Sequence, residues 1–223
     1  MNEAILIGTR GWDHDAWQGG FYPEELPAEW RFCYYSNVLR AVWAPADRWT
    51  GVTAETVVQW AQDSDSSFRF IIEPPPLPSS AELGAFLQLI APIFPQTDGF
   101  LLRVAAGAPS DPDWLETVLA ELAREHPVCV DLPGDWQSPA LSAALATHRA
   151  GRYWDCTASD APSPGGELLV ALRGGGTPLD LRRTLEAMAR WQGPERRAAL
   201  FFDGPTAAES ARSARTLAEL MGV

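Results

Sequence analysis

The chain has 223 residues, 46% hydrophobic and 21% charged, so it is long enough for one domain with a sizeable core and is not a disordered chain. A net charge of −12 opposes binding to nucleic acid or to an anionic membrane surface. All 17 basic residues are arginines, which excludes a Schiff-base lysine, an internal pyridoxal-phosphate aldimine and a P-loop lysine.

In chain order, apolar runs suited to strands alternate with helical patterns. The strands are expected at Ala4–Gly8, Ala41–Trp43, Phe68–Ile72, Gly99–Val104, Val128–Leu132, Arg152–Cys156, Leu168–Leu172 and Ala198–Phe202. Most are continuous apolar runs, as parallel strands buried on both faces require. Helices are expected at Pro27–Val38, Thr53–Gln62, Ser80–Ile90, Asp111–Glu125, Ser138–Thr147, Leu179–Trp191 and Thr206–Met221. Thr53 and Ser80 are expected as N-caps, and Pro112 suits a first helical turn. In the last helix Ala211 and Ala214 share a stripe with Leu217 and Leu220, which predicts close docking.

Only the connection Thr157 to Glu167, with Pro162, Pro164, Gly165 and Gly166, has no room for a helix. Eight strands and about seven helices in alternation predict an α/β fold, a trimmed (β/α)₈ TIM-like barrel occupying residues 1–223 as a single domain. The rival open doubly wound sheet lacks its G-x-G-x-x-G after the first strand. The Pro74-Pro75-Pro76-Leu77-Pro78 run is a stiff loop, not a boundary.

The longest apolar stretch, Leu83 to Phe94, is too short to span a bilayer, and Met1-Asn2-Glu3 predicts no signal peptide. Cys33, Cys129 and Cys156 are scattered and read as reduced thiols, pointing to the cytoplasm.

A barrel carries its function at the C-terminal ends of its strands, where this chain places Arg10, Glu73, Arg103, Asp131, Asp160, Arg173 and Asp203. Carboxylate pairs there suit acid/base work, although strand ends are commonly polar in any case. The segment Arg173-Gly174-Gly175-Gly176-Thr177 lies after the seventh strand and Asp203-Gly204 after the eighth, where barrels often hold phosphate. Its glycines let backbone N–H groups approach an anion and Arg173 offers a bidentate fork. Asp203 opposes an anion in the same place, and a glycine triplet is often only a turn.

The loop from Thr9 to Leu26 carries Trp12, Trp17, Phe21 and Tyr22. These rings either stack on a planar ligand or plug the top of the barrel, and plugging is favoured in a chain with ten tryptophans. No metal site is expected: His126 and His148 precede strands, and Asp13-His14-Asp15 matches known ligand spacings poorly. No cofactor is expected, and no G-x-S-x-G motif supplies a nucleophile.

The segment Ile5-Leu6-Ile7-Gly8-Thr9-Arg10-Gly11-Trp12, then Trp17, Phe21-Tyr22-Pro23 and Tyr34-Tyr35, resembles the opening of the YecE-like family, a set of bacterial and archaeal barrels known as domain of unknown function 72. Glu55-Thr56-Val57, Trp60 and Phe68-Arg69-Phe70 continue the resemblance in order. It becomes diffuse towards Leu200-Phe201-Phe202-Asp203. The family's mouth residues differ here: Glu73 stands where the family has a lysine, Arg103 where it has a glutamine, and Asp131-Leu132-Pro133-Gly134 where it has Glu-Phe-Arg-His. Arg173-Gly174 replaces a histidine-containing pattern, and Asp203-Gly204 an asparagine pair. The resemblance implies a barrel scaffold with a rewritten mouth.

Two functions follow as expectations. One is a non-catalytic binder of a small polar or anionic molecule, with Arg10, Trp12, Trp17, Tyr22, Glu73, Arg103, Asp131, Asp160, Arg173, Gly174, Gly175 and Asp203 as candidate contacts. The other is a hydrolase- or isomerase-type enzyme acting on a small phosphorylated or sugar-like metabolite with the same carboxylates and arginines. No sequence feature sets the oligomeric state.

Overall fold

A computed structural model describes residues 5–223; Met1-Asn2-Glu3 and the first residue of the expected Ala4–Gly8 strand lie outside them. The apolar runs form strands β1 (Leu6–Arg10), β2 (Ala41–Ala44), β3 (Arg69–Ile72), β4 (Thr97–Arg103), β5 (Val128–Asp131), β6 (Gly151–Arg152), β7 (Trp154–Asp155), β8 (Leu168–Arg173) and β9 (Arg197–Phe202). They make one sheet in the order β6-β5-β4-β3-β2-β1-β9-β8-β7, and every neighbouring pair is parallel. Between them run α1 (Arg31–Val38), α2 (Ala54–Asp63), α3 (Ser80–Ile90), α4 (Pro112–Leu122), α5 (Pro139–Thr147), α6 (Pro178–Trp191) and α7 (Ala207–Met221).

Parallel strands under helices are buried on both faces, and here the two faces make two cores. Trp43, Ile71, Leu101, Cys129, Leu168, Val170, Ala199 and Phe201 pack together inside the barrel. Their alternates, such as Val42, Phe70, Ile72, Leu102, Val130, Leu169 and Leu200, pack outward beneath the helices. The result is a TIM-like α/β barrel.

The sixth strand differs from expectation. The run Arg152–Cys156 is two short strands that change neighbours at Tyr153. Gly151 and Arg152 pair with β5, whereas Trp154 and Asp155 pair with β8. The Tyr153 amide still donates to the Val130 carbonyl at 2.8 Å, so the ladder passes from one neighbour to the other within one residue. One backbone bond seals the seam from below, Glu167 N–H to the Arg149 carbonyl at 2.9 Å, and the Glu167 carbonyl in turn accepts from Arg197 N–H at 2.8 Å, extending the β8–β9 ladder. Glycine makes this crossing possible. A Cβ on Gly151 would stand 1.7 Å from the Leu168 carbonyl oxygen, and one on Gly166 would stand 2.3 Å from the Gly151 Cα.

Helix starts follow side-chain chemistry, with some shifts. Ser79, not Ser80, caps α3, because Glu82 lies three residues beyond Ser79 and completes a reciprocal capping box. Pro27 leads into a single 3₁₀ turn, Ala28–Trp30, and α1 begins only at Arg31. In α7 the buried stripe is Ala207, Ala211, Ala214 and Ala218, whereas Leu220 is 81% exposed and takes no part in docking. Among the described residues, no helix is long and apolar enough to cross a membrane.

The closure makes a direct prediction. Gly151→Ala should destabilise the fold by about 3 kcal/mol or more, because a backbone carbonyl cannot yield to the new methyl group. Gly134→Ala, at a site with open space around it, should stay within about 0.5 kcal/mol of the parent. Chemical denaturation of the two variants checks this, and equal stabilities would refute the role given to Gly151.

Candidate functional site

Strand alternation carries the barrel interior up to a polar layer. Two residues beyond the inward-facing Ile71, Leu101, Cys129 and Phe201 stand Glu73, Arg103, Asp131 and Asp203, and Arg10 stands four residues beyond the inward Leu6. Five strands thus send a charged side chain into the C-terminal mouth. The floor below them is Trp43, fully buried, with Tyr153 and Phe201 ring centroids 6.4 and 6.2 Å away. The guanidinium carbons of Arg10 and Arg103 each lie 5.4 Å from the centre of the Trp43 ring. Arg103 also lies 5.8 Å from the centre of the Tyr153 ring. A cation on a desolvated indole is held by the ring quadrupole, so Trp43 sets both arginines in place.

Glu73 is the most enclosed charge in the mouth, only 8% exposed. Its Oε2 accepts a hydrogen bond from Trp43 Nε1 at 2.9 Å, and its carbonyl accepts one from Trp49 Nε1 at 2.8 Å. Its own amide donates to the Ala44 carbonyl at 2.9 Å. Burial pushes the Glu73 carboxyl above the ordinary glutamate range, although Arg103, the Trp43 bond, Arg10 and the Ala46 N–H all pull the other way. Burial likewise pushes the Tyr153 phenol up, against the pull of Arg103, so Tyr153 is a neutral hydrogen-bonding group.

The two arginines are anchored differently. Arg103 Nε donates to Asp131 Oδ2 at 2.9 Å. Burial weakens its charge, and the bond to Asp131 more than restores it. Arg10 has a loose ion pair, 3.8 Å from Asp203, and among the described residues its buried Nε has no hydrogen-bond partner. The Arg10 side chain is 29% exposed, so its fork faces the mouth with donors to offer. Beside Arg103, Asp131 and Tyr153 lies an open cavity of about 470 Å³, which Ala158, Ser159, Ala161 and Ser163 also line.

Arg10, Glu73, Arg103, Asp131 and Asp203 therefore come together, and the other expected contacts do not. Trp12, Trp17 and Tyr22 are buried outside the barrel wall and offer no face to a ligand. Trp12 packs on Phe32 and Trp60 with centroids 4.9 and 5.0 Å away, Trp17 stacks on Tyr35, and the Tyr22 hydroxyl donates to the Trp12 carbonyl. Arg31 staples this loop through Asp13 at 2.5 Å and Asp15 at 3.0 Å.

Arg173 alternates with the inward Leu172 and points out of the barrel, where Nη1 donates to Thr184 Oγ1 at 2.8 Å. The N-terminus of α6 that it faces already holds a carboxylate: Asp180 accepts from Thr177 N–H and stands 4.0 Å from Arg173 Nη2. The expected phosphate cradle is thus filled by the protein itself. Gly174 is exposed, Gly175 borders a groove between α6 and α7, and Asp160 lines a small crevice with Cys156 and Arg183.

Sequence reasoning missed Trp43 and Tyr153. Trp43 sits in a strand apolar on both faces, which hides which side it takes; Tyr153 sits at the break in the sixth strand. Among the described residues, no three His, Cys, Asp or Glu side chains converge as a metal-binding group.

The profile of a family described as protein of unknown function DUF72 matches residues 6–223. None of the curated protein sequences matches the chain. Among solved structures, a DUF72 family protein from Thermotoga maritima is 15% identical with a TM-score of 0.68, covering 98% of this chain and all of that one. Another from Enterococcus faecalis is 12% identical with a TM-score of 0.70, covering both chains in full. A D-psicose 3-epimerase crystallised in the presence of D-fructose is 8% identical with a TM-score of 0.60, over 98% of this chain and 99% of that one. At such identities the likenesses show the barrel fold alone.

The buried Glu73 yields a pH prediction. A carboxyl whose pKa rises on folding holds its proton more tightly in the folded chain. Its contribution to stability is therefore complete below the ordinary glutamate range and is lost as pH rises through the elevated value. Glu73→Gln removes that loss and keeps an acceptor for Trp43 Nε1. The variant's melting temperature should gain on the parent's as pH rises from about 4 to about 8. Melting curves that stay parallel across this range would show that burial does not penalise the Glu73 charge.

Proposed function

The chain belongs to the DUF72 family of proteins of unknown function, and on that premise we propose that its barrel mouth binds a small anionic molecule without turning it over. The observation that carries this reading is the Arg10 guanidinium. It rests on Trp43, is partly exposed, lies in the field of Glu73, and among the described residues its side chain makes no hydrogen bond, its ion pair with Asp203 being a loose 3.8 Å. Partly buried arginine donors without acceptors are costly to leave unmade, so an oxyanion that supplies them gains affinity. Arg103, set on the same ring, provides the second positive group.

Several features favour binding over turnover. Each mouth arginine faces an aspartate from a neighbouring strand, Asp203 or Asp131, the chain has no Lys, and among the described residues that line the mouth cavity there is no His or Cys nucleophile. The net charge of −12 disfavours nucleic acid as the partner.

One observation supports the alternative of an enzyme: Glu73 and Tyr153 are a carboxyl with raised pKa and a neutral phenol near Arg103, a pairing suited to proton transfer on a sugar-like or phosphorylated metabolite. Turnover of such a metabolite that disappears in Glu73→Gln would favour this alternative.

The binding reading is tested by thermal shift with small carboxylates and inorganic phosphate. A ligand at about a hundredfold over its Kd adds about 2.7 kcal/mol, raising the melting temperature by roughly 5–10 °C for a chain of this size. Arg10→Ala and Arg103→Ala should each abolish the shift, and Arg173→Ala should keep it. Retention of the full shift in both mouth variants would defeat the proposal.

A further inference from the structure

Resting on the reading of the mouth as an anion site, we infer that its ligand is a polyhydroxylated monocarboxylate of sugar size, a sugar acid, whose carboxylate meets the arginines and whose hydroxyl groups fill the adjoining cavity. The cavity of about 470 Å³ falls within the span of small-molecule sites. Its wall is polar and presents hydrogen-bonding groups of both kinds.

Three donor residues line it. Among the described residues the Tyr153 hydroxyl has no hydrogen-bond partner, and it is a neutral phenol. Ser163 is exposed at the rim, its carbonyl engaged by Trp191 Nε1. Arg103 uses Nε alone on Asp131, leaving its terminal nitrogens available. Two acceptors interleave with these. Asp131 gives one oxygen to Arg103 and keeps the other, while the Asp155 carboxylate, which also takes the Thr157 N–H and hydroxyl on Oδ1, lines the opposite side.

A hydroxyl group donates and accepts at once, so a wall of interleaved donors and acceptors is satisfied by a chain of hydroxyls. An aliphatic acid would leave these groups unpaired on binding. The two aspartates also fix the number of charges: a second anionic group in the cavity would face Asp131 and Asp155, so the single anion belongs at the arginine end.

Isothermal titration calorimetry on the parent protein tests this with pentonates, hexonates and hexuronates beside hexanoate, acetate and glucose. At least one sugar acid should bind tenfold or more tighter than hexanoate, acetate and glucose. Tyr153→Phe should weaken that sugar acid about tenfold and leave acetate unchanged. Acetate binding through Arg10 and Arg103 with no sugar acid binding tighter would overturn this inference and leave the anion site standing. Glucose binding as tightly as the sugar acids, or no anion binding at all, would overturn both.

Discussion

The barrel depends on one close approach. At its seam, a strand whose two halves pair with different neighbours has to touch both β5 and β8, and it does so because Gly151 puts bare backbone against the Leu168 carbonyl. An L-residue would hold the two strands apart. Without that approach the row from β5 round to β8 would end in two unpaired edges, and the interior would be open along its length. The mouth exists only because the ring closes: residues from β1, β3, β4, β5 and β9 face one another only when alternate side chains of every strand point to a shared axis.

Closure around so few residues leaves a narrow interior, which Trp43 fills. A large indole in this position does two jobs that no aliphatic residue could combine. It completes the inner core with Phe201 and Ile71, and its polar edge and π-face order the charged layer above, through the bond to Glu73 and the two guanidinium contacts. The apolar core and the polar site thus share one side chain. Burying Glu73 at this junction has a cost that the surrounding donors do not fully offset, as its raised pKa records. Such residual cost, concentrated in one place, is the usual mark of a binding or reacting group.

Much of this was legible in the sequence. Continuous apolar runs identify parallel strands whichever face each residue takes, and the polar residue closing each run marks Arg10, Glu73, Arg103, Asp131 and Asp203. What stayed hidden is parity. Arg173 ends its strand as Arg103 ends β4, yet it alternates with Leu172 and so lies outside the wall. An all-apolar strand such as Ala41–Ala44 gives no reason to turn Trp43 inward. Loop rings carry no parity at all, so Trp12, Trp17 and Tyr22 gave no sign that they belong to the layer between β1 and α1. The split at Tyr153 was invisible for a different reason: Gly151 and Gly166 read as turn-formers, whereas their purpose is proximity to another strand.

The carboxylate of Asp180, which caps its own helix, has a further consequence. Tethered three residues from Thr177, it occupies the α6 N-terminus at an effective concentration far above that of any metabolite free in solution. The helix therefore carries a built-in competitor for oxyanions, and a dissolved phosphate meets a position already taken. At the barrel axis the arrangement differs: Arg10 meets its own tethered carboxylate, Asp203, only across a loose 3.8 Å.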